Sequence, residues 1–131
     1  MKIKSFFIVA FLSLVFFNCK KEEEAPAVEL ITVEEMDSLL EMRKVRLIDV
    51  RTPGEYSEGY IEGAENIDFN ADNFEELIGK VDKTKPVIIY CRSGGRSKKC
   101  SEYMKKAGFV KIYDLDGGLT EWKSKQKKII K

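Results

Sequence analysis

A chain of 131 residues is long enough for one domain with a single core and short for two of ordinary size. With 44% hydrophobic and 34% charged residues it is neither disordered nor fibrous in composition, and a net charge of +1 supplies no basic field for nucleic acid. Histidine is absent, which removes His-based triads, His metal sites and a His general base; the three cysteines form no CxxC pair and too sparse a set for a disulfide framework.

At the N-terminus, Lys2 and Lys4 precede an apolar run from Phe6 to Phe17 broken only by Ser13. As a helix the run rises about 18 Å, short of the roughly 30 Å hydrocarbon core of a bilayer. It reads as a secretory signal peptide over residues 1–18. Asn18-Cys19 follows directly, and a cysteine at the end of such a run resembles the lipobox of bacterial lipoproteins. That resemblance implies acylation of Cys19 and a membrane anchor outside the cytoplasm, at the periplasmic face or the cell surface. Residues 19–27 then read as the lipidated cysteine and a charged, Ala/Pro-containing tether, and residues 28–131 as the domain.

The domain alternates short apolar runs with helical stretches. Glu29-Leu30-Ile31 predicts a strand, and Thr32-Val33-Glu34-Glu35 a capping box opening a helix that buries Met36, Leu39 and Leu40. Arg46 to Val50 is a second strand, halted at Pro53-Gly54, and Ala64 to Phe69 a third. Asn70 is read as the cap of a helix reaching about Gly79. Pro86-Val87-Ile88-Ile89-Tyr90 has the continuous apolar character of a parallel strand buried on both faces. A helix from about Arg96 to Lys106, a strand from Val110 to Leu115 and a helix after Gly117-Gly118 complete the pattern. The fold class is α/β with a mainly parallel sheet covered by helices.

The chemistry concentrates where the central strand runs into Cys91-Arg92-Ser93-Gly94-Gly95-Arg96-Ser97. Ligands of open α/β sheets bind beyond the carboxyl ends of the strands, and Cys91 occupies such an end. The two glycines let the backbone curl with several N–H groups aimed at one point, and the next helix adds its free N-terminal donors. Such surroundings favour a thiolate at Cys91 and an anionic substrate beside it.

These segments resemble the rhodanese-like domains. Leu47 to Tyr56 and Gly59 to Ala64 are similar to the family's N-terminal signature, Val87 to Ser97 to its active-site strand and loop, and Gly108-Phe109 with Leu115 to Gly118 and Trp122 to its C-terminal signature. The resemblance covers roughly residues 29–126. It implies a five-stranded, mainly parallel sheet flanked by helices on both faces, with sulfur transfer through a Cys91 persulfide. Arg92, Ser93, Gly94, Gly95, Arg96 and Ser97 would bind a small anionic sulfur donor such as thiosulfate, and a thiol (cyanide in assays) would accept the sulfur. Neither metal nor other cofactor is implied, and a monomer is expected. Only Arg92 to Gly95 separate Cys91 from Arg96, a tighter cradle than that of the related phosphatases. The alternative within the family is a sulfur-carrier or protein-binding module with little turnover.

Around the loop, Asp49 is expected to cap a turn or pair with Arg51, and Arg51 with Glu55 to form a scaffold near the site. Tyr60 stands where many relatives have His, leaving the contacts at that rim open. Cys100 and Trp122 read as core, and the basic tail from Lys123 to Lys131 as frayed.

Overall fold

The computed structural model describes residues 26–131; the segment read as a signal peptide, Cys19 and nearly all of the expected tether lie outside the described residues. Five strands and five helices alternate: β1 (Val28–Ile31), α1 (Val33–Glu41), β2 (Arg46–Asp49), α2 (Pro53–Glu58), β3 (Glu65–Asn66), α3 (Phe74–Gly79), β4 (Val87–Tyr90), α4 (Gly95–Lys106), β5 (Ile112–Leu115) and α5 (Gly118–Ser124). The sheet order is β1-β5-β4-β2-β3 and every pairing is parallel. None of the described helices is long and apolar enough to cross a membrane.

Strand alternation divides the core. From β4, Val87, Ile89 and the following Cys91 point to one face, against Phe74 and Ile78 of α3 and Cys100 and Met104 of α4. Ile88 and Tyr90 point to the other, against Met36 of α1 and Leu119 and Trp122 of α5. All four residues of β4 are buried, as continuous apolar character requires of a strand covered twice. The capping box is closed in both directions, Thr32 N–H donating to Glu35 Oε2 at 2.8 Å and Glu35 N–H to Thr32 Oγ1 at 3.2 Å.

Three expectations are corrected. Asn70 does not cap α3: its N–H donates to Asp68 Oδ1 at 2.9 Å, tight turns carry the chain through 68–74, and Asn73 is the N-cap residue without a side-chain cap bond. The third strand shrinks to Glu65–Asn66, because β2 supplies partners only to Asp49; beyond it Ile67 N–H to Asp49 O and Phe69 N–H to Val50 O continue the contact singly. The tail is docked rather than frayed. Tyr60 and Ile130 exchange both backbone hydrogen bonds at 2.9 Å, Trp122 Nε1 donates to Lys128 O at 3.0 Å, and Lys127 pairs with Asp37.

Candidate active site

Cys91 is the first residue after β4 and its side chain is 1% exposed. The chain then turns through Gly94, whose φ of 108° and ψ of −15° lie where a side chain is strained, and α4 starts at Gly95. Arg96 and Ser97 therefore belong to the first turn of the helix. Gly94 N–H donates to Cys91 Sγ at 3.1 Å, and the Ser97 hydroxyl stands 3.5 Å from the same sulfur. Burial alone would push the Cys91 thiol up. The Ser97 hydroxyl and the N–H groups of Ser97, Gly94 and Ser93 outweigh it and bring the thiol below its ordinary range.

The N-terminus of α5 is fixed to the carbonyl side of this loop. Leu119 N–H donates to Cys91 O at 2.9 Å; Thr120 N–H and Oγ1 both donate to Arg92 O at 2.9 Å. With those carbonyls turned to α5, the N–H groups that follow are free to face the sulfur. The approach is close: a Cβ on Gly118, whose φ is +57°, would lie 2.4 Å from Cys91 O. Only glycine permits that contact, which gives the Gly117-Gly118 pair a role at the loop that sequence alone does not reveal.

Of the two expected charge pairings, Asp49 with Arg51 is found and Arg51 with Glu55 is not. Arg51 binds Asp49, with Nε 3.0 Å from both carboxylate oxygens and an Nη2–Oδ2 distance of 2.6 Å, and Arg51 Nη2 also donates to Gly59 O at 2.7 Å. Both residues are buried, Asp49 at 0% and Arg51 at 4% exposure. Glu55 is not Arg51's partner. Sitting in the first turn of α2, it faces α4 and grips the Arg96 guanidinium two-handed at 2.6 and 2.8 Å. The hydrogen bonds from Arg96 hold the Glu55 carboxyl at about 2, against the opposing effect of burial. Arg96 is thus a brace between α4 and α2 rather than an open anion ligand.

Arg92 keeps the exposure expected of a substrate contact. It lines a cleft of about 310 Å³ beside the loop with Arg51, Glu55, Glu58, Leu119, Thr120 and Lys123. Among the described residues neither Arg92 nor Lys123 has a salt-bridge partner, so two cations are available there. Sequence reasoning misses Lys123 as a site residue because it lies inside a basic tail with no local motif. Ser93, Gly94 and Gly95 turn their backbone to a second groove on the α4 side, shared with Asp114 of β5. Tyr60 stacks on Tyr56 with ring centroids 4.2 Å apart, which occupies its ring with packing. Cys100 is 0% exposed, its Sγ 3.7 Å from Met104 Sδ, and burial pushes its thiol up to about 12. Cys91 and Cys100 are both free thiols.

The rhodanese-like domain model matches residues 32–125. Thiosulfate sulfurtransferase GlpE of Shewanella oneidensis is 30% identical over 92 residues, covering 70% of this chain and 89% of that protein. The probable adenylyltransferase/sulfurtransferase MoeZ of Mycobacterium tuberculosis is 37% identical over 93 residues, 70% of this chain but 24% of that longer protein. Among solved structures, the rhodanese-like domain protein of Staphylococcus aureus superposes with a TM-score of 0.64 at 33% identity, covering 72% of this chain and 90% of that one. The parallel five-stranded sheet, the Cys91 loop at its carboxyl edge and a family match across most of the chain agree: this protein belongs to the rhodanese-like domain family.

Proposed function

We propose that this chain is a sulfurtransferase that carries sulfane sulfur from thiosulfate or a similar anionic donor to a thiol through a persulfide on Cys91. The observation that carries the reading is a buried sulfur with the Gly94 N–H at 3.1 Å and the Ser97 hydroxyl at 3.5 Å, both able to stabilise negative charge on it. In the first half-reaction the Cys91 thiolate attacks the outer sulfur of thiosulfate. A new S–S bond forms, the donor's S–S bond breaks, and sulfite leaves with the bonding electrons. In the second, an acceptor thiolate attacks the outer sulfur of the persulfide and the Cys91 thiolate is the leaving group. The loop donors serve the thiolate and the persulfide anion alike. Arg92 and Lys123 offer charge to the sulfonate end of the donor, while Arg96 and Glu55 keep α4 and α2 in register around the loop.

Intact-mass spectrometry after brief exposure to thiosulfate tests this. The expected result is a gain of about 32 Da, one sulfur atom, which maps to Cys91 and disappears on adding a thiol. An unmodified Cys91 peptide would refute the reading. Steady-state turnover with cyanide then separates an enzyme from a carrier module that holds sulfur for a partner.

The proposal includes an anchor. Cys19, following the apolar run, would carry acyl chains; two or more such chains suffice for stable attachment, each buried methylene contributing about 0.8 kcal/mol. On fractionation of the expressing bacterium, Cys19→Ala is expected in the soluble fraction and the wild type in the membrane pellet. A wild type recovered wholly soluble would overturn the anchor without touching the sulfur chemistry.

A further inference from the structure

The sheet gives this domain two ends of different character. Every pairing is parallel, and Val28, Ile112, Val87 and Arg46 stand in register. The amino ends of four strands therefore form one edge, opposite the Cys91 loop. Three neighbouring strands are entered through a cation: Lys111 before β5, Lys85 before Pro86 and β4, and Arg46 at the start of β2. Arg46 and Lys85 join Arg43, Lys44 and Val45 around a pocket of about 580 Å³, to which no acid contributes among the described residues. Acids nearby answer part of this charge: Glu65 pairs with Arg46, Glu29 with Lys111, and Asp82 stands 3.9 Å from Lys85. Arg43 and Lys44 have no salt-bridge partner among the described residues.

Apolar side chains protrude at the same edge. The large hydrophobic residues left exposed among the described residues are Leu30, Met42 and Val110, at 60%, 61% and 55%. Met42 is the C-cap of α1 and directly precedes Arg43, while Val110 directly precedes Lys111. Two of the three thus sit among the cations of the amino edge. Arg43 has a φ of 52°, a region costly for a side chain, where a chain leaving a helix ordinarily uses glycine or asparagine. A turn alone would be served by glycine, so a long cation at this point calls for a role outside the fold. The basic tail offers no comparable face, since Lys125, Lys127 and Lys128 pair with Glu34, Asp37 and Glu62.

The chain also enters the domain here. Ile112 N–H donates to Ala27 O at 2.7 Å and Lys111 Nζ to Pro26 O at 3.0 Å, which ties the lead-in of β1 to the amino edge. From Cys19 to Val28 the chain spans about 30 Å at full stretch. We propose that the amino edge of the sheet docks on an anionic lipid surface, with Arg43, Lys44 and Lys85 against the headgroups and Met42 and Val110 entering the headgroup layer. The inference rests on the anchor proposed at Cys19 and is independent of the sulfur chemistry. Cations interleaved with protruding apolar side chains are the pattern that binds such a surface, by attraction to anionic lipid and by apolar burial at the interface. Cys91 then stands up to about 13 Å farther from the bilayer than Val87, four strand residues on. The reactive loop is held open to soluble donors and acceptors.

Lysine labelling tests the orientation. The protein as expressed, with its anchor, is added to preformed vesicles of phosphatidylcholine alone or of equal parts phosphatidylcholine and phosphatidylglycerol. Exposed lysines are acetylated with a membrane-impermeant reagent and read one by one by mass spectrometry, with the protein in detergent as reference. On the anionic vesicles labelling of Lys44 and Lys85 should fall about five-fold, the factor equivalent to the attraction of one cation to such a surface. Lys98 and Lys99, in the first turns of α4 at the other end of the domain, should keep their rates. Arg43→Glu combined with Met42→Ser should restore labelling of Lys44 and Lys85, with a thermal melt to verify folding. Unchanged labelling on anionic vesicles, or protection confined to Lys98 and Lys99, would overturn the proposal. Equal protection of Lys44 and Lys85 in detergent and on both vesicles would give the pocket to the chain's own Glu22-Glu23-Glu24 run, and overturn it as well. A chain that does not float with phosphatidylcholine vesicles counts against the anchor instead. The face is then judged on the anionic vesicles alone, where binding lost in the double variant supports it and no binding overturns it.

Discussion

Cys91→Ser should reduce thiosulfate-to-cyanide sulfur transfer to background, a loss of about 10³-fold or more, as removal of a catalytic nucleophile generally does. The substitution is nearly isosteric, so the Gly94 N–H and the Ser97 hydroxyl keep a partner at that position and the fold should persist. What disappears is a thiol whose surroundings favour its ionised form. The donors that bring the thiol below its ordinary range cannot bring a serine hydroxyl into reach, and oxygen forms no stable counterpart of the persulfide. Cys100→Ala is the matched control. Its thiol is fully buried against Met104 and pushed up to about 12, so it neither reaches the cleft nor ionises, and the variant should retain transfer. Steady-state assays on both variants, with a thermal melt to verify folding, decide the matter; substantial transfer by Cys91→Ser would end the persulfide mechanism.

The largest effect on stability is expected at the Asp49–Arg51 pair. Arg51→Ala should cost about 3–5 kcal/mol, the range for removing one partner of a buried ion pair. Asp49 is 0% exposed and would be left with a charge that only the Arg51 N–H still bonds, at 2.9 Å. The substitution also strips the 2.7 Å bond from Gly59 O, and with it a tie between the end of β2 and the segment following α2. Burial by itself would lower the Arg51 guanidinium, yet the hydrogen bonds and charge of Asp49 raise it above its ordinary value, so Arg51 stays charged. Urea unfolding measures the loss. Replacing both residues together with apolar ones of similar size should recover much of it, because no buried charge then stands alone. A loss below about 1 kcal/mol for Arg51→Ala, the level of an exposed pair, would contradict a buried, mutually dependent pair.

Local and periodic features are the legible part of this amino-acid order. Val87 to Tyr90 read as a strand covered on both faces because a continuous apolar run between turn residues would leave one face of a half-exposed strand greasy, and all four residues are buried. Thr32 and Glu35 read as a capping box because the motif closes within three residues. The Cys91 loop is legible because its arginines, serines and glycines fit no buried structural role. The pairing of charges is legible for Asp49 with Arg51 and not for Glu55. Arg51 and Glu55 have the spacing of helical neighbours, but α2 begins only at Pro53, so Arg51 precedes the helix and turns back to Asp49. Glu55 finds Arg96 across the fold, a choice made by tertiary packing. The tail reads as frayed because lysines dominate it, while Ile130 and Trp122 supply contacts with no periodic signal.

The pairing of β1 with β5 governs when this domain can be completed. Val28 lies opposite Ile112 and Ile31 opposite Leu115, so among the described residues the first strand has its one neighbour in the last. At the usual ~5–20 residues per second of protein synthesis, that partner emerges some seconds after β1. A parallel pairing across so long a loop is also slow to form once both strands exist. α5, whose N–H groups fix the carbonyls of Cys91 and Arg92, comes later still. The reactive loop is therefore unassembled on a growing chain. For a protein exported by its first residues, as proposed, that delay keeps the chain threadable during transport and defers a reactive thiol until the domain has closed.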